Sequence, residues 1–410
     1  MERKWLYTTL MAVAVALVLG TAPAFASHIN VQCPGDTNGN ALQDGGEVWP
    51  ANQKCMHLTS GDGYITMADG RPMYMFGFAD ATGWDPANVM TDGILAGAYP
   101  GPIITLDEDD EFYLSLSNVG MLVRPDLFDP HTVHWHGFPE ASSVFDGLPE
   151  SGISINMGAT LTYYYNVKDP GTYMYHCHVE ATEHMQMGML ANLYVRPKQN
   201  KLPAGTLLGT HVHQTGDKYV YNDGDGSTHY DVEFPIQMSS FDGAFHDASE
   251  SVQPLPFALM RDDYPMLNGR GYPDTVVDAP LPAPAENGGI VSQFEDALIE
   301  AEAGQKVLLR ISNISITRYF TLQSLGIPMT VVGRDARLLR GPGGENLYYT
   351  TDSVTLGGGE TNDVILDTTG IAPGTYFLYT TNLNHLSNGE EEFGGMMTEI
   401  RISAPAALLN

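Results

Sequence analysis

An all-β fold of two tandem sandwiches is predicted for this chain by three observations. Short alternating segments recur between clusters of Gly, Pro, Asn and Asp. No long stretch with helical period competes with them. An internal repeat divides the 410 residues into two similar halves.

The alternation is clearest at two places. In 111–118, Phe112, Leu114 and Leu116 point one way, and Glu111, Ser115 and Ser117 are among the residues pointing the other. In 306–313, Val307, Leu309 and Ile311 alternate with Leu308, Arg310 and Ser312. Strands of this length and spacing suggest β-sandwiches. The repeat rests on matched positions. Ser117-Asn118 ends one strand and Ser312-Asn313 its counterpart. Pro170-Gly171-Thr172-Tyr173 matches Pro373-Gly374-Thr375-Tyr376, and Gly188-Met189 matches Gly395-Met396. Their order is kept while offsets vary, as loops of different length require. The expected organisation is an N-terminal extension over 27–60, a first sandwich over 61–198, a linker over 199–228 and a second sandwich over 229–404. Asp223-Gly224-Asp225-Gly226 is the clearest turn signal in the linker.

Residues 1–26 read as a secretory signal peptide. Arg3 and Lys4 precede an apolar run from Leu10 to Gly20, and Ala24-Phe25-Ala26 is a small-x-small cleavage site. Export to the periplasm or the medium is the expectation. A formal charge of −30 argues against nucleic acid and anionic membrane surfaces. It suits a cationic substrate or a basic redox partner, and it equally serves solubility.

Three cysteines are present. In an oxidising compartment Cys33 and Cys55 can close a disulfide, which leaves Cys177 to be explained. Between the first two lies Asp36-Thr37-Asn38-Gly39-Asn40, followed by Asp44 and Glu47. The oxygen spacing is that of a calcium loop, but Ala41 stands where such a loop needs glycine. The alternative is a polar loop closed by the disulfide.

The 13 histidines are unevenly placed. His131, His134 and His136 share one short segment, and His176 and His178 flank Cys177. His184 and Met189 follow closely. Alternation along a strand puts His134 and His136 on one face and His131 on the other. It likewise puts His176 and His178 opposite Cys177. Two sets back to back result: His131, Cys177, His184 and Met189 on one side, and His134, His136, His176 and His178 on the other.

A thiolate, two imidazoles and a weak axial thioether make a blue, type 1 copper site. Zinc also takes imidazole, but this donor set with an axial Met favours copper. Met185 and Met187 are alternative thioethers, read more simply as core filler. Glu180 and Glu183 lie inside the ligand loop and read as exposed carboxylates or cation ligands. The all-imidazole set suits copper that handles oxygen species.

At these residues the chain resembles the multicopper oxidase family. His131-x-x-His134-x-His136 looks like the family's His-x-x-His-x-His motif, and His176-Cys177-His178 with His184 and Met189 looks like its His-Cys-His motif. The resemblance implies two cupredoxin-like Greek-key sandwiches, as in small laccases and copper nitrite reductases. It implies type 1 copper on the first set and type 2 or type 3 copper on the second. It implies electrons passing from a small-molecule or metal-ion donor, through Cys177, to oxygen. A homotrimer is expected on the same ground.

Three departures bear on that expectation. The Cys-x6-His-x4-Met loop is longer than the oxidases' and shorter than the nitrite reductases'. The second sandwich lacks the motif: Gln323 and Leu325 stand opposite His134 and His136, and Tyr379, Thr380 and Thr381 opposite His176, Cys177 and His178. Only three His-x-His pairs exist, the third being His211 and His213 in the linker. His229, His246 and His385 are single candidates. The leading expectation is an exported copper oxidoreductase that reduces oxygen. The alternatives are a nitrite-reductase-like enzyme and a type 1 copper electron carrier.

Overall fold

The structure, a computed structural model, describes residues 29–405. The signal segment expected at 1–26 lies outside the described residues. Among them, no helix is long and apolar enough to cross a membrane.

The first sandwich is built from β1 (Gln53–Thr66), β2 (Pro72–Asp80), β3 (Ile104–Asp107), β4 (Glu111–Gly120), β5 (His134–His136), β6 (Thr160–Asn166), β7 (Gly171–His176) and β8 (Leu190–Arg196). One sheet runs β2-β1-β4-β6 and the facing sheet β3-β8-β7-β5. Phe112, Leu114 and Leu116 of β4 are buried in the core between them with Trp135 and Tyr175. The opposite face of β4 is polar but also covered. Ser115 pairs with Thr162, Ser117 with Thr160, and His57 lies 2.8 Å from Ser117. The N-terminal extension reaches this face, where the Gln32 amide donates to Thr162. A disulfide between Cys33 and Cys55 ties residues 29–52 to β1, which begins within the 27–60 expected as extension and pairs there with β4.

Four short strands follow: β9 (Leu207–Leu208), β10 (His211–Val212), β11 (Lys218–Tyr219) and β12 (His229–Tyr230). They form two small ribbons, β9-β10 and β11-β12, where the sequence suggested only turns.

The second sandwich comprises β13 (Val232–Phe241), β14 (Tyr264–Leu267), β15 (Ile299–Glu302), β16 (Lys306–Asn313), β17 (Phe320–Leu325), β18 (Met329–Arg334), β19 (Arg337–Leu338), β20 (Tyr349–Thr351), β21 (Ser353–Leu356), β22 (Thr361–Asp367), β23 (Gly374–Thr380) and β24 (Met397–Ser403). Its sheets run β14-β13-β16-β22-β18-β19, with β20 on β18, and β15-β24-β23-β17-β21. The topology repeats that of the first half: β1 pairs with β4 in parallel, and β13 with β16 likewise. The repeat extends to single hydrogen bonds. Asn118 donates to the carbonyl of Ile155 and Asn313 to that of Leu356, each closing the end of its strand. The Tyr173 hydroxyl donates to the Asp169 carbonyl and the Tyr376 hydroxyl to the Ala372 carbonyl.

The sandwiches meet through buried polar groups. Arg310 of β16, fully buried, contacts Glu233 of β13 at 2.8 Å and Thr172 of β7 at 3.1 Å. Asp363 of β22 accepts hydrogen bonds from Thr172 and from Tyr221. Ser312 donates to Asn192 of β8. This is why Arg310 and Ser312, on the face of β16 opposite Val307, Leu309 and Ile311, are as buried as the core.

Candidate metal centres

β5 and β7 are the platform. They pair antiparallel with His134 opposite His176 and His136 opposite Met174. Trp135, between the two histidines, points into the core and stacks on Tyr165 at 3.8 Å. The period-2 alternation therefore sends the imidazoles out of the sandwich on one side and Cys177 inward on the other.

On the inward side His131, Cys177 and His184 are fully buried, and one donor atom from each lies within 4.8 Å of the others. The Cys177 Sγ is 3.2 Å from Nδ1 of His184 and 3.8 Å from Nδ1 of His131. The Thr132 amide points at the same sulfur from 3.4 Å. A two-residue bridge fixes His131, which exchanges backbone hydrogen bonds with Ile155. His184 sits on the helix Ala181–Gln186. Met189 is fully buried in the same core as Cys177. Its carbonyl accepts from the Cys177 amide and its amide donates to the His184 carbonyl, so loop and strand are locked together. Burial holds His131 well below the ordinary imidazole range, in the neutral form a ligand needs. Burial acts on His184 too, but the neighbouring Cys177 and Asp129 outweigh it and push its pKa up to about 10.

On the outward side His134, His136 and His176 bring donor nitrogens within 4.8 Å of one another. The His178 ring joins them, 5.1 Å from that of His134 and 5.6 Å from that of His176, centroid to centroid. Two of the rings are oriented from behind. His134 Nδ1 lies 2.6 Å from the Asp146 carbonyl and His176 Nδ1 lies 2.9 Å from the Cys177 carbonyl. Such a bond leaves Nε2 free for a metal and aims it. Burial lowers the pKa of His134 and His136 and takes that of His176 to about 3.

The donor chemistry fits copper. A lone buried thiol, the only free cysteine among the described residues, faces two Nδ1 atoms and belongs to a core that also holds Met189. That is the soft-sulfur and borderline-nitrogen set that selects copper. The outward imidazoles converge, as ligands of a second copper group must, and burial favours the neutral form of His134, His136 and His176.

The outward cluster opens on a cleft of about 480 Å³ between the sandwiches. Its far wall is the second half of the same chain: the loop 315–319 with Arg318 and Tyr319, and Gly358 and Gly359. Gly359 has φ +88°, and a Cβ there would lie 2.8 Å from His136 Nε2. The triple glycine 357–359 was the available signal for this close approach. At the position equivalent to the His134–His176 pair, Gln323 faces Tyr379. His211, His213, His229, His246 and His385 do not line the cleft. His246 is buried elsewhere with its ring nitrogens on the carbonyls of Tyr74 and Gln186, and His385 packs on Phe320.

One neighbour of the inward set carried no signal in the sequence. Asp129 stands two residues before His131 and places Oδ2 3.8 Å from His184 Nε2. With Glu180 and His184 it forms a third group of donors within 4.8 Å. Glu183, also in the loop, is not part of that group. Of the other methionines, Met185 lines the cleft and Met187 is core. In the extension, Asn38 and Asn40 both donate to Asp44, and Asp36 accepts from the amides of Gly39 and Ala41.

Comparison with known proteins agrees with this geometry. Family models described as multicopper oxidase match residues 84–200 and 246–397, about two thirds of the chain together. Multicopper oxidase MmcO of Mycobacterium tuberculosis is 27% identical over 282 residues, which cover 66% of this chain and 47% of that protein. Copper resistance protein A of Escherichia coli is 24% identical over 304 residues, 67% of this chain and 43% of that one. The chain thus spans less than half the length of these relatives. Among solved structures, a blue copper oxidase from Nitrosomonas europaea aligns with TM-score 0.60 at 22% identity, covering 85% of this chain and 86% of that one. A copper nitrite reductase from the same organism aligns with TM-score 0.53 at 16% identity, covering 86% of this chain and 94% of that one. Both likenesses speak for the fold. With both halves matched by its models, the chain belongs to the multicopper oxidase family, whose cofactor is copper.

Proposed function

We propose that the protein is an exported copper oxidoreductase that oxidises a donor one electron at a time and reduces oxygen. His131, Cys177, His184 and Met189 would hold type 1 copper, and His134, His136, His176 and His178 the oxygen-reducing copper. Bound copper supplies the one-electron chemistry at both places. One observation carries the reading: Cys177 faces two imidazoles inward while the residues on either side of it, His176 and His178, join two more outward. The peptide that separates donor-side and oxygen-side ligands is thus a single residue long. His176 is hydrogen-bonded to the Cys177 carbonyl, a second short link between the sets.

The chain's own residues do the rest. The core around Cys177 excludes water from the thiolate. Asp146 and Cys177 carbonyls hold two rings in one orientation, and the cleft admits a small acceptor. Asp129 and Glu180, beside His184, favour a cationic donor such as a reduced metal ion over a neutral phenol. The Cys33–Cys55 disulfide supports an oxidising compartment, in keeping with the signal-like residues 1–26. A homotrimer, expected from the resemblance to two-domain relatives, would let a neighbour add donors to the cleft; sedimentation of the copper-loaded protein tests it.

A second reading is favoured by the ligandless second sandwich, where Gln323 and Tyr379 replace the paired histidines. In it the protein carries electrons on type 1 copper alone. Copper counting with electron paramagnetic resonance decides. A type 2 signal beside the blue one, with oxygen uptake, supports the oxidase. Both signals with nitrite turnover and no oxygen uptake would move the assignment to a nitrite-reductase-like enzyme. One copper per chain and blue absorption alone would leave only the carrier.

A further inference from the structure

The linker holds a second gathering of histidines, away from both copper sets. β10 brings His211, the turn that follows brings His213 and Asp217, and β12 brings His229. The Asp217 carboxylate is the centre. Its Oδ2 is 2.9 Å from His211 Nε2 and 3.9 Å from His213 Nδ1, and its Oδ1 is 3.8 Å from His229 Nε2. The His211 and His229 rings stand 5.5 Å apart. Tyr219, cross-strand neighbour of His229, donates to the same Oδ2 at 3.3 Å and lies 3.1 Å from His213 Nδ1. The Gln214 amide also donates to Oδ2, so the carboxylate is fixed from its own turn.

We propose that His211, Asp217 and His229 form a site for one divalent transition-metal ion of the zinc type. Zinc–nitrogen and zinc–oxygen bonds of about 2.1 Å put neighbouring ligand atoms about 3.0–3.4 Å apart. The two observed imidazole–carboxylate distances, 2.9 and 3.8 Å, straddle that spacing; they run to different carboxylate oxygens, and the two imidazoles must rotate toward one ion to close the third pair. Imidazole with carboxylate suits zinc, and water would fill the remaining positions. His213 is almost fully buried and, with Tyr219, orients the carboxylate rather than binding the ion. Access is open on one side, where His211 is 36% exposed and His229 22%. Gly226, at φ +75°, lets the chain pass where a Cβ would come within 2.8 Å of the His211 Cβ. The ion would clamp β10, the 213–217 turn and β12 into one unit. That converts two ribbons of two-residue strands into a rigid joint between the sandwiches. Zinc has no redox role, so the site is structural.

The test uses the full copper-loaded protein. It is equilibrated with Zn²⁺, freed of loose metal by gel filtration, and its metals are counted. The wild type should retain one zinc per chain more than the double variant His211→Ala/His229→Ala, with copper content unchanged. Circular dichroism reports whether that variant folds. If it does not, Asp217→Asn, which keeps the side-chain size, takes its place and should weaken zinc retention at least tenfold. No zinc in the wild type, or equal zinc in wild type and the folded variant, overturns the proposal.

Discussion

Cys177 is the residue on which both donor sets turn. Its thiol has no apolar excuse: it is fully buried, yet two imidazole nitrogens and an amide face it. Replacing it by Ser removes the soft ligand and keeps the volume. Cys177→Ser should therefore lose the blue absorption while the outward cluster keeps its copper. A surviving blue band would refute the ligand assignment. Gly359 makes the complementary case on the outward side. Ala there would meet a left-handed backbone, at about 1–2 kcal/mol, and would press on His136 Nε2. Gly359→Ala should weaken copper binding at the outward cluster about tenfold, the low end for a disturbed supporting contact. Chelator competition followed by the type 2 resonance measures it. An unchanged affinity would mean that the glycine loop yields without moving the ring.

At the scale of elements, the joint between sandwiches depends on one buried cation. Arg310 of β16 meets Glu233 of β13 and lies 3.6 Å from Asp363 of β22, while Arg196 of β8 reaches Glu233 from the first sandwich. Arg310→Ala would leave the buried Asp363 without its cation and the half-buried Glu233 with Arg196 alone, a loss of about 3 kcal/mol read by chemical denaturation. Burial alone would raise the pKa of Glu233, but Arg310 and Arg196 outweigh it and hold the carboxyl at about 2. The sign follows. The folded chain keeps Glu233 ionised below the point where the unfolded chain protonates it, near 4.5. Its stabilisation is complete above that pH and is lost as pH falls towards 2, roughly 3 kcal/mol in all. Stability measured against pH should thus fall across this window, and Glu233→Gln should flatten the fall. An equal slope in the variant would place the acid sensitivity elsewhere.

Across the whole molecule, local chemistry was legible and distant convergence was not. Alternation in 111–118 and 306–313, the paired turn motifs and the back-to-back histidines all follow from a period of two along one strand. Which loop covers the outward cluster is set by how two sandwiches dock, and no local pattern in Gly357–Gly359 or Ser315–Tyr319 encodes that partner. Asp217 carries no local signal for the same reason: its neighbours His211 and His229 meet only because two ribbons fold together. The charge of −30 is legible at once, and its consequence is global. A field of that sign concentrates cations at the surface, and Asp129 and Glu180 extend it to the edge of His184. A cationic one-electron donor should therefore show a kcat/KM that falls about tenfold as the Debye length shrinks from about 30 Å in dilute buffer to about 8 Å at physiological ionic strength. A neutral phenol should show no such fall, because steering acts on donor charge and leaves the copper chemistry alone. Equal salt slopes for the two donors would reduce the acidic surface to a solubility device and remove the preference for metal-ion substrates.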